Sequence, residues 1–84
     1  MSSLNSFKNW ISDGLSEVDN WKILSYYTSG DDDEFDCVKV RFYSRDRDDI
    51  ENDIDWCFGQ VIDDGELNWN WAGQYTVEFW QSNE

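Results

Sequence analysis

The 84-residue chain contains no histidine, no proline and only six Lys and Arg residues. Without histidine it lacks the side chain that most often serves as a general base near neutral pH, which excludes a Ser–His–Asp triad. It also has no glycine-rich phosphate loop. Carboxylate pairs suited to glycoside hydrolysis are plentiful, but they arise by chance in a chain with so many acids. We therefore expect a protein that is not an enzyme and that needs no cofactor.

Cysteine is scarce as well. Cys37 and Cys57 lie twenty positions apart, and there is no His or further Cys to complete a zinc site. The N-terminal MSSLNSFKNW lacks the apolar segment of a signal peptide, so we expect a cytoplasmic location and reduced thiols, with a disulfide as the alternative. No apolar run approaches the ~20 residues of a membrane span. The sequence thus predicts a protein without a metal and without membrane contact.

Acidic and aromatic residues are in excess. Nineteen Asp and Glu residues give a formal net charge of −13, and 18% of the residues are aromatic. Such a charge repels phosphates, which argues against direct nucleic-acid or anionic-membrane binding and favours a basic partner. The aromatic rings can build a core in a short chain, so we expect one folded domain, residues 1–84, rather than a disordered acidic tail. Adaptation to high salt would explain the acids but not the aromatics.

The first two thirds of the chain show the periodicities of a helix, two strands and a second helix. Apolar residues at three- and four-residue steps predict a helix that ends near Asp13, because Gly14 disfavours its continuation. A segment rich in β-branched and aromatic residues predicts a strand at 21–28, and alternating apolar residues predict a clearer strand at 35–44. A second helix is expected to begin at Asp46 or Asp48 and to end at Gly59.

The last third of the chain predicts a β-hairpin. A three-residue loop at 72–74 pairs Trp71 with Tyr75 and Trp69 with Val77, which places the large apolar residues on one face. A short strand at 60–62 is a further expectation. The element order α-β-β-α-β-β predicts an α+β fold, with an antiparallel sheet of about four strands and two helices packed on one face.

The acids concentrate in two clusters within residues 31–55, which hold eleven of the nineteen. The first cluster is a loop with contiguous acids, unlike the alternating ligands of an EF-hand, so we predict no metal site there. The second cluster lies on the second helix, where carboxylates three or four residues apart sit about 5–6 Å apart, similar to the spacing along a DNA strand. Four basic residues share this stretch, and an ordinary solvated helix face is the alternative. Imitation of DNA requires the two clusters to be neighbours.

Two tryptophans are candidate interface anchors. Trp56 lies off the buried stripe of the second helix, and Trp80 lies on the outward face of the last strand, whereas Trp10, Trp69 and Trp71 are expected in the core. With the two clusters they complete the predicted partner-binding set: Asp31, Asp32, Asp33, Glu34, Asp36, Asp48, Asp49, Glu51, Asp53, Asp55, Trp56 and Trp80. The expected partner is a basic nucleic-acid-binding protein, met by a monomer or a homodimer of this chain.

In size, acidity, aromatic content and lack of catalytic residues, the whole chain resembles the DNA-mimic inhibitors of phages and mobile elements. These include anti-restriction proteins, anti-CRISPR proteins and uracil-DNA glycosylase inhibitors. The resemblance rests on composition and size, so no individual residue is carried over. It implies a viral protein that acts in the host cytoplasm and occupies the nucleic-acid-binding groove of a host defence or DNA-processing enzyme. The alternatives are an immunity protein or antitoxin against a basic nuclease toxin, and a small calcium- or carbohydrate-binding module.

Overall fold

Two helices cover one face of a four-stranded antiparallel sheet in the computed structural model, which describes residues 3–82. The predicted α+β class and element order are confirmed. The elements are α1 (Ser3–Gly14), β1 (Trp21–Ser29), β2 (Phe35–Phe42), α2 (Arg47–Asp63), β3 (Asn68–Trp71) and β4 (Thr76–Ser82). The strand order across the sheet is β1-β2-β4-β3.

Both helices pack on the same face of the sheet. Helix α1 lies over β1 and β2, where the Lys8 ammonium is 4.9 Å from the centre of the Tyr26 ring. Helix α2 lies over β3 and β4, and the ring of Phe58 is 5.4 Å from that of Phe79. The buried core between these layers consists of Phe7, Ile11, Leu15, Val38, Val40, Phe42, Ile50, Ile54, Phe58, Leu67, Val77 and Phe79. We call the opposite side of the sheet the helix-free face.

The two helices meet where α1 ends. A Cβ atom on Gly14 would lie 2.3 Å from Cε1 of Phe58, so only glycine permits this approach. The helix does end here, as its glycine predicted. Trp10 was expected in the core, but it is 40% exposed and leans on Phe58 at 5.3 Å between ring centres. It therefore borders the core instead of filling it.

Helix α2 begins with a side-chain cap. Oδ1 of Asp46 accepts a hydrogen bond of 2.9 Å from the backbone N–H of Asp49, which satisfies a donor that the first helical turn leaves open. The helix then continues through Gly59 to Asp63, so the predicted end at Gly59 and the predicted strand at 60–62 are wrong. Val61 and Ile62 pack against the core and continue the apolar stripe, which outweighs the preference of one glycine.

The β3–β4 hairpin has a different register from the one predicted. Trp71 pairs with Val77 and Trp69 with Phe79, and the backbone N–H of Ala72 donates to the carbonyl of Thr76. Inside the hydrogen bond between Ala72 and Thr76 the loop consists of three residues, 73–75, which lie one position after the predicted loop at 72–74. Every pairing is consequently displaced by two residues. Because side chains alternate with a period of two, this displacement keeps the same residues on the same face, and the hydrophobic pattern cannot distinguish the two registers.

Candidate functional site

The exposed face of α2 carries Trp56 among carboxylates. Trp56 is 75% exposed, the most exposed of the large apolar side chains in the described residues. At helical spacing, Asn52 and Gln60 lie one turn before and after it. We call this surface the acidic ridge, formed by the exposed residues Asp48, Asp49, Glu51, Asp55, Trp56 and Asp63. The structure thus brings four of the predicted acids of α2 together with the predicted anchor Trp56.

The basic residues near these acids mostly contact other groups and neutralise little of the charge on the acidic ridge. Arg45 forms an ion pair with Asp53, which is half-buried and so is removed from the exposed charge. The Arg47 guanidinium lies 4.1 Å from the centre of the Trp71 ring. Lys39 and Arg41 belong to the helix-free face, as their places in β2 require. The acidic ridge therefore keeps most of its negative charge.

The other acidic cluster is the β1–β2 hairpin tip, formed by Asp31, Asp32, Asp33 and Glu34, all exposed. Gly30 and Asp33 make the turn with φ of 96° and 52°, in the left-handed region that glycine and Asp adopt most readily. The tip precedes β2, whereas the acidic ridge begins after it. Seven residue steps of about 3.3 Å place the two ends of β2 about 23 Å apart. The hairpin tip and the start of α2 therefore lie near opposite ends of β2 and are not direct neighbours.

Asp36 was predicted to lie on the partner-binding surface, but its side chain is completely buried. It occupies β2 in phase with Val38 and Val40, so its side chain points to the face that the helices cover. This placement corrects the prediction, since a buried carboxylate cannot contact a partner. The alternation along β2 was the signal that assigned it to the core face.

Trp80 lies on the helix-free face, on the side of the sheet opposite the acidic ridge. It borders a pocket of about 290 Å3. We call this the aromatic pocket, and it is lined by Tyr27, Ser29, Phe35, Cys37, Glu78 and Trp80. Trp56 and Trp80 lie on opposite sides of the sheet, so one flat partner surface cannot cover both.

A β-bulge in β1 creates the aromatic pocket. The register with β2 shifts between Ile23 and Ser25, so Leu24 is an extra residue in the strand. Simple alternation from Trp21 and Ile23 would turn Tyr27 toward the core. The bulge reverses the faces, and Tyr27 instead pairs with Cys37 on the helix-free face. Sequence reasoning missed Tyr27 for this reason, because nothing in the sequence of β1 locates the bulge.

Both cysteine thiols are stabilised in their protonated form. Burial raises the pKa of Cys37 above its ordinary value, the Asp36 carboxylate raises it further, and Lys39 offsets part of the rise. Burial also raises the pKa of Cys57, with smaller contributions from Asp53 and Glu17. A reactive cysteine needs a lowered pKa. Neither thiol is therefore an activated nucleophile near neutral pH.

Residues 3–82 contain neither a cluster of metal ligands nor a membrane-spanning helix. No group of three or more His, Cys, Asp or Glu side chains is arranged to hold a metal ion within this range. None of the helices in the same range is both long and apolar enough to cross a membrane.

No protein-family model, curated protein or solved structure matches the chain.

Proposed function

We propose that this protein is an acidic inhibitor that binds a basic nucleic-acid-binding enzyme and blocks its nucleic-acid groove, as a DNA mimic does. The acidic ridge of α2 is the contact surface. One observation carries the proposal: Trp56 is 75% exposed on a helix face that is otherwise rich in carboxylates. The enzyme is a host defence or DNA-processing protein.

Trp56 has no role in the core. The stripe of α2 that faces the sheet is formed by Ile50, Ile54 and Phe58, and Trp56 points away from it. Exposure of an indole leaves a large apolar area in water, which costs free energy that a bound partner recovers. Tryptophan is also the residue type most enriched among interface positions that dominate binding energy. Trp56 is therefore proposed as the anchor, and the carboxylates around it confer the preference for a basic groove.

The charge distribution supports fast association with such a groove. The formal net charge is −13, and Lys39 and Arg41 lie on the face away from the acidic ridge. A partner with a positive groove is attracted over several ångströms and is oriented toward the ridge. The four exposed carboxylates of the hairpin tip lie at the end of β2 away from the start of α2, and they add to the long-range attraction.

An immunity protein against a basic nuclease toxin would use the same ridge in the same way. The identity of the captured enzyme separates the two functions, since a toxin is encoded beside its inhibitor and a host enzyme is not.

The proposal is tested by affinity capture from a host lysate, followed by competition with nucleic acid on the purified partner. The expected partner is a basic nucleic-acid-binding enzyme whose nucleic acid is displaced by this protein. A partner that binds DNA or RNA and this protein simultaneously would rule out mimicry.

Matched variants locate the contact on the partner obtained. We expect Trp56→Ala to accelerate dissociation at least tenfold, and D48N/E51Q/D55N to slow association and flatten its dependence on salt. The control D31N/D32N/D33N removes the same number of charges from the hairpin tip. If the control slowed association more than the ridge variant did, the interface would lie at the hairpin tip instead of the acidic ridge.

A further inference from the structure

The helix-free face differs in charge from the rest of the molecule. The pairing of the strands arranges its side chains in rows, which carry Lys22, Lys39 and Arg41 but only one carboxylate, Glu78. The other acids of residues 3–82 lie outside these rows. This face is therefore the least acidic surface of the sheet, and its single carboxylate lies in the aromatic pocket.

The aromatic pocket takes its three rings from three different strands. Tyr27, Cys37 and Trp80 form one row across β1, β2 and β4, with the small cysteine between the two rings. Two strand spacings separate the backbones of Tyr27 and Trp80 by about 10 Å. Phe35 closes the pocket from the adjoining row and Glu78 lies beside Trp80. The rings border an opening of about 290 Å3 instead of filling it.

We propose that the aromatic pocket binds an organic cation, namely the head group of a substituted ammonium. Ring faces attract cations through their quadrupole, and several rings around one space form the cage that recognises quaternary ammonium groups. Glu78 supplies a counter-charge inside the pocket. The volume lies at the lower end for ligand sites, which suits a small head group. This site is independent of the acidic ridge.

One of these rings, that of Tyr27, is already in contact with a cation, the ammonium group of Lys39. This ammonium is 5.8 Å from the centre of the Tyr27 ring, close to the ~6 Å limit of a cation–π contact. Lys39 also lies opposite Glu78 in the register of β2 and β4. Lys39 therefore competes with an incoming cation for the Tyr27 ring, and its removal is expected to strengthen binding.

The test is an NMR titration of the full chain, which follows the indole N–H signal of Trp80, assigned with Trp80→Phe. The probes are choline, its neutral isostere 3,3-dimethylbutan-1-ol, and benzoate as an anion. We expect choline to bind at least about fivefold more tightly than the isostere, and benzoate more weakly than either. Equal binding of choline and the isostere, tighter binding of benzoate, or no shift of the Trp80 signal with choline would each overturn the proposal.

Two pairs of variants test the roles of the charged residues. Lys39→Met is expected to tighten choline binding severalfold, whereas Lys22→Met, which removes the same charge elsewhere on this face, leaves it nearly unchanged. Glu78→Gln is expected to weaken binding severalfold and Glu66→Gln to have little effect. Equal effects within each pair would show that only net charge matters and would overturn the assignment of the site.

A further probe distinguishes the source of the cation. A peptide amide of trimethyllysine presents the same head group on a protein side chain. Tighter binding of the peptide than of choline assigns the site to a protein partner, and tighter binding of choline assigns it to a free small molecule. Both outcomes support an organic-cation site, whereas binding of neither probe contradicts it.

Discussion

At the scale of single residues, burial decides which polar groups are available for chemistry. Cys37 lies on the helix-free face, yet it is only 5% exposed because the side chains of the aromatic pocket surround it. Asp36, its neighbour in sequence, lies on the opposite face and is completely buried. The sequence assigned a partner-binding role to Asp36 alone. Burial removes this carboxylate from the surface, and burial also raises the pKa of the Cys37 thiol so that it stays protonated near neutral pH.

The raised thiol pKa values predict a loss of stability at alkaline pH. The folded state holds the thiol protons more tightly than the unfolded state does. The stabilisation is complete below the pKa of the unfolded thiol, about 8.5, and is lost as the pH rises through the folded value. We expect the free energy of unfolding, measured with urea between about pH 7 and pH 10, to decrease above about pH 8.5.

The double variant C37A/C57A provides the control for this prediction. It retains every tyrosine and lysine, so their titrations are common to both proteins. Its stability should decrease less steeply over the same pH range. An identical slope in the two proteins would show that the thiols do not contribute.

At the scale of elements, the contact between α1 and α2 depends on the absence of one side chain. The Cβ atom of Gly14→Ala would lie 2.3 Å from the ring of Phe58. Alanine favours helix by about 1 kcal/mol over glycine, but the overlap forces the ring or the helix to move. We expect a net loss of about 1–3 kcal/mol of unfolding free energy, measured by urea denaturation.

Gly59→Ala is the matched control within α2. Its Cβ atom would meet only the carboxylate group of Asp55, with Oδ1 at 3.1 Å and Cγ at 3.6 Å, at the end of a flexible side chain. Helix propensity should then dominate, with a gain of up to about 1 kcal/mol. If both substitutions stabilised the protein, Gly14 would not lie as close to the Phe58 ring as the structure places it.

The N-cap of α2 gives a second prediction for this scale. Asp46→Ala removes the acceptor for the Asp49 N–H and should cost about 1 kcal/mol of unfolding free energy. Asp46→Asn keeps an acceptor oxygen without the charge, so it should retain most of the stability. If Asp46→Asn lost as much unfolding free energy as Asp46→Ala, the charge at the helix end, and not the hydrogen bond, would be the cause.

Sequence periodicity correctly predicted helices and strands whose buried residues follow a regular local spacing. The apolar stripes of both helices and the alternation of Val38, Val40 and Phe42 correspond to buried residues. The exact hairpin register was not accessible, because a displacement by two residues preserves the apolar face. The end of α2 was not accessible either, since packing of Val61 and Ile62 overrides Gly59. Of the candidate site, the exposure of Trp56 agrees with its position off the stripe, whereas Tyr27 depended on an unpredictable bulge.

At the scale of the whole molecule, charge is segregated by face. Lys22, Lys39 and Arg41, half of the six basic residues, lie on the helix-free face with a single carboxylate, Glu78, whereas most acids of residues 3–82 lie in the hairpin tip and in α2. Repulsion among the acids opposes the compact state. The aromatic and aliphatic core must offset this repulsion, and salt is expected to reduce it.

We therefore predict that the melting temperature rises when NaCl is increased from about 10 mM to about 0.5 M, because screening shortens the Debye length from roughly 30 Å to below 8 Å. D31N/D32N/D33N should melt at a higher temperature in low salt and depend less on NaCl, measured by circular dichroism. A melting temperature independent of salt would show that repulsion is not a significant cost.

The bulge in β1 has a consequence for self-association into fibrils. β1 lies at the edge of the sheet, where unpaired backbone groups can template the addition of strands from other molecules. Leu24 interrupts the regular spacing of those groups, and Lys22 places a charge beside them. A strand from another chain would find no continuous ladder along β1. The irregularity that opens the aromatic pocket thus also makes this edge of the sheet a poorer template for added strands.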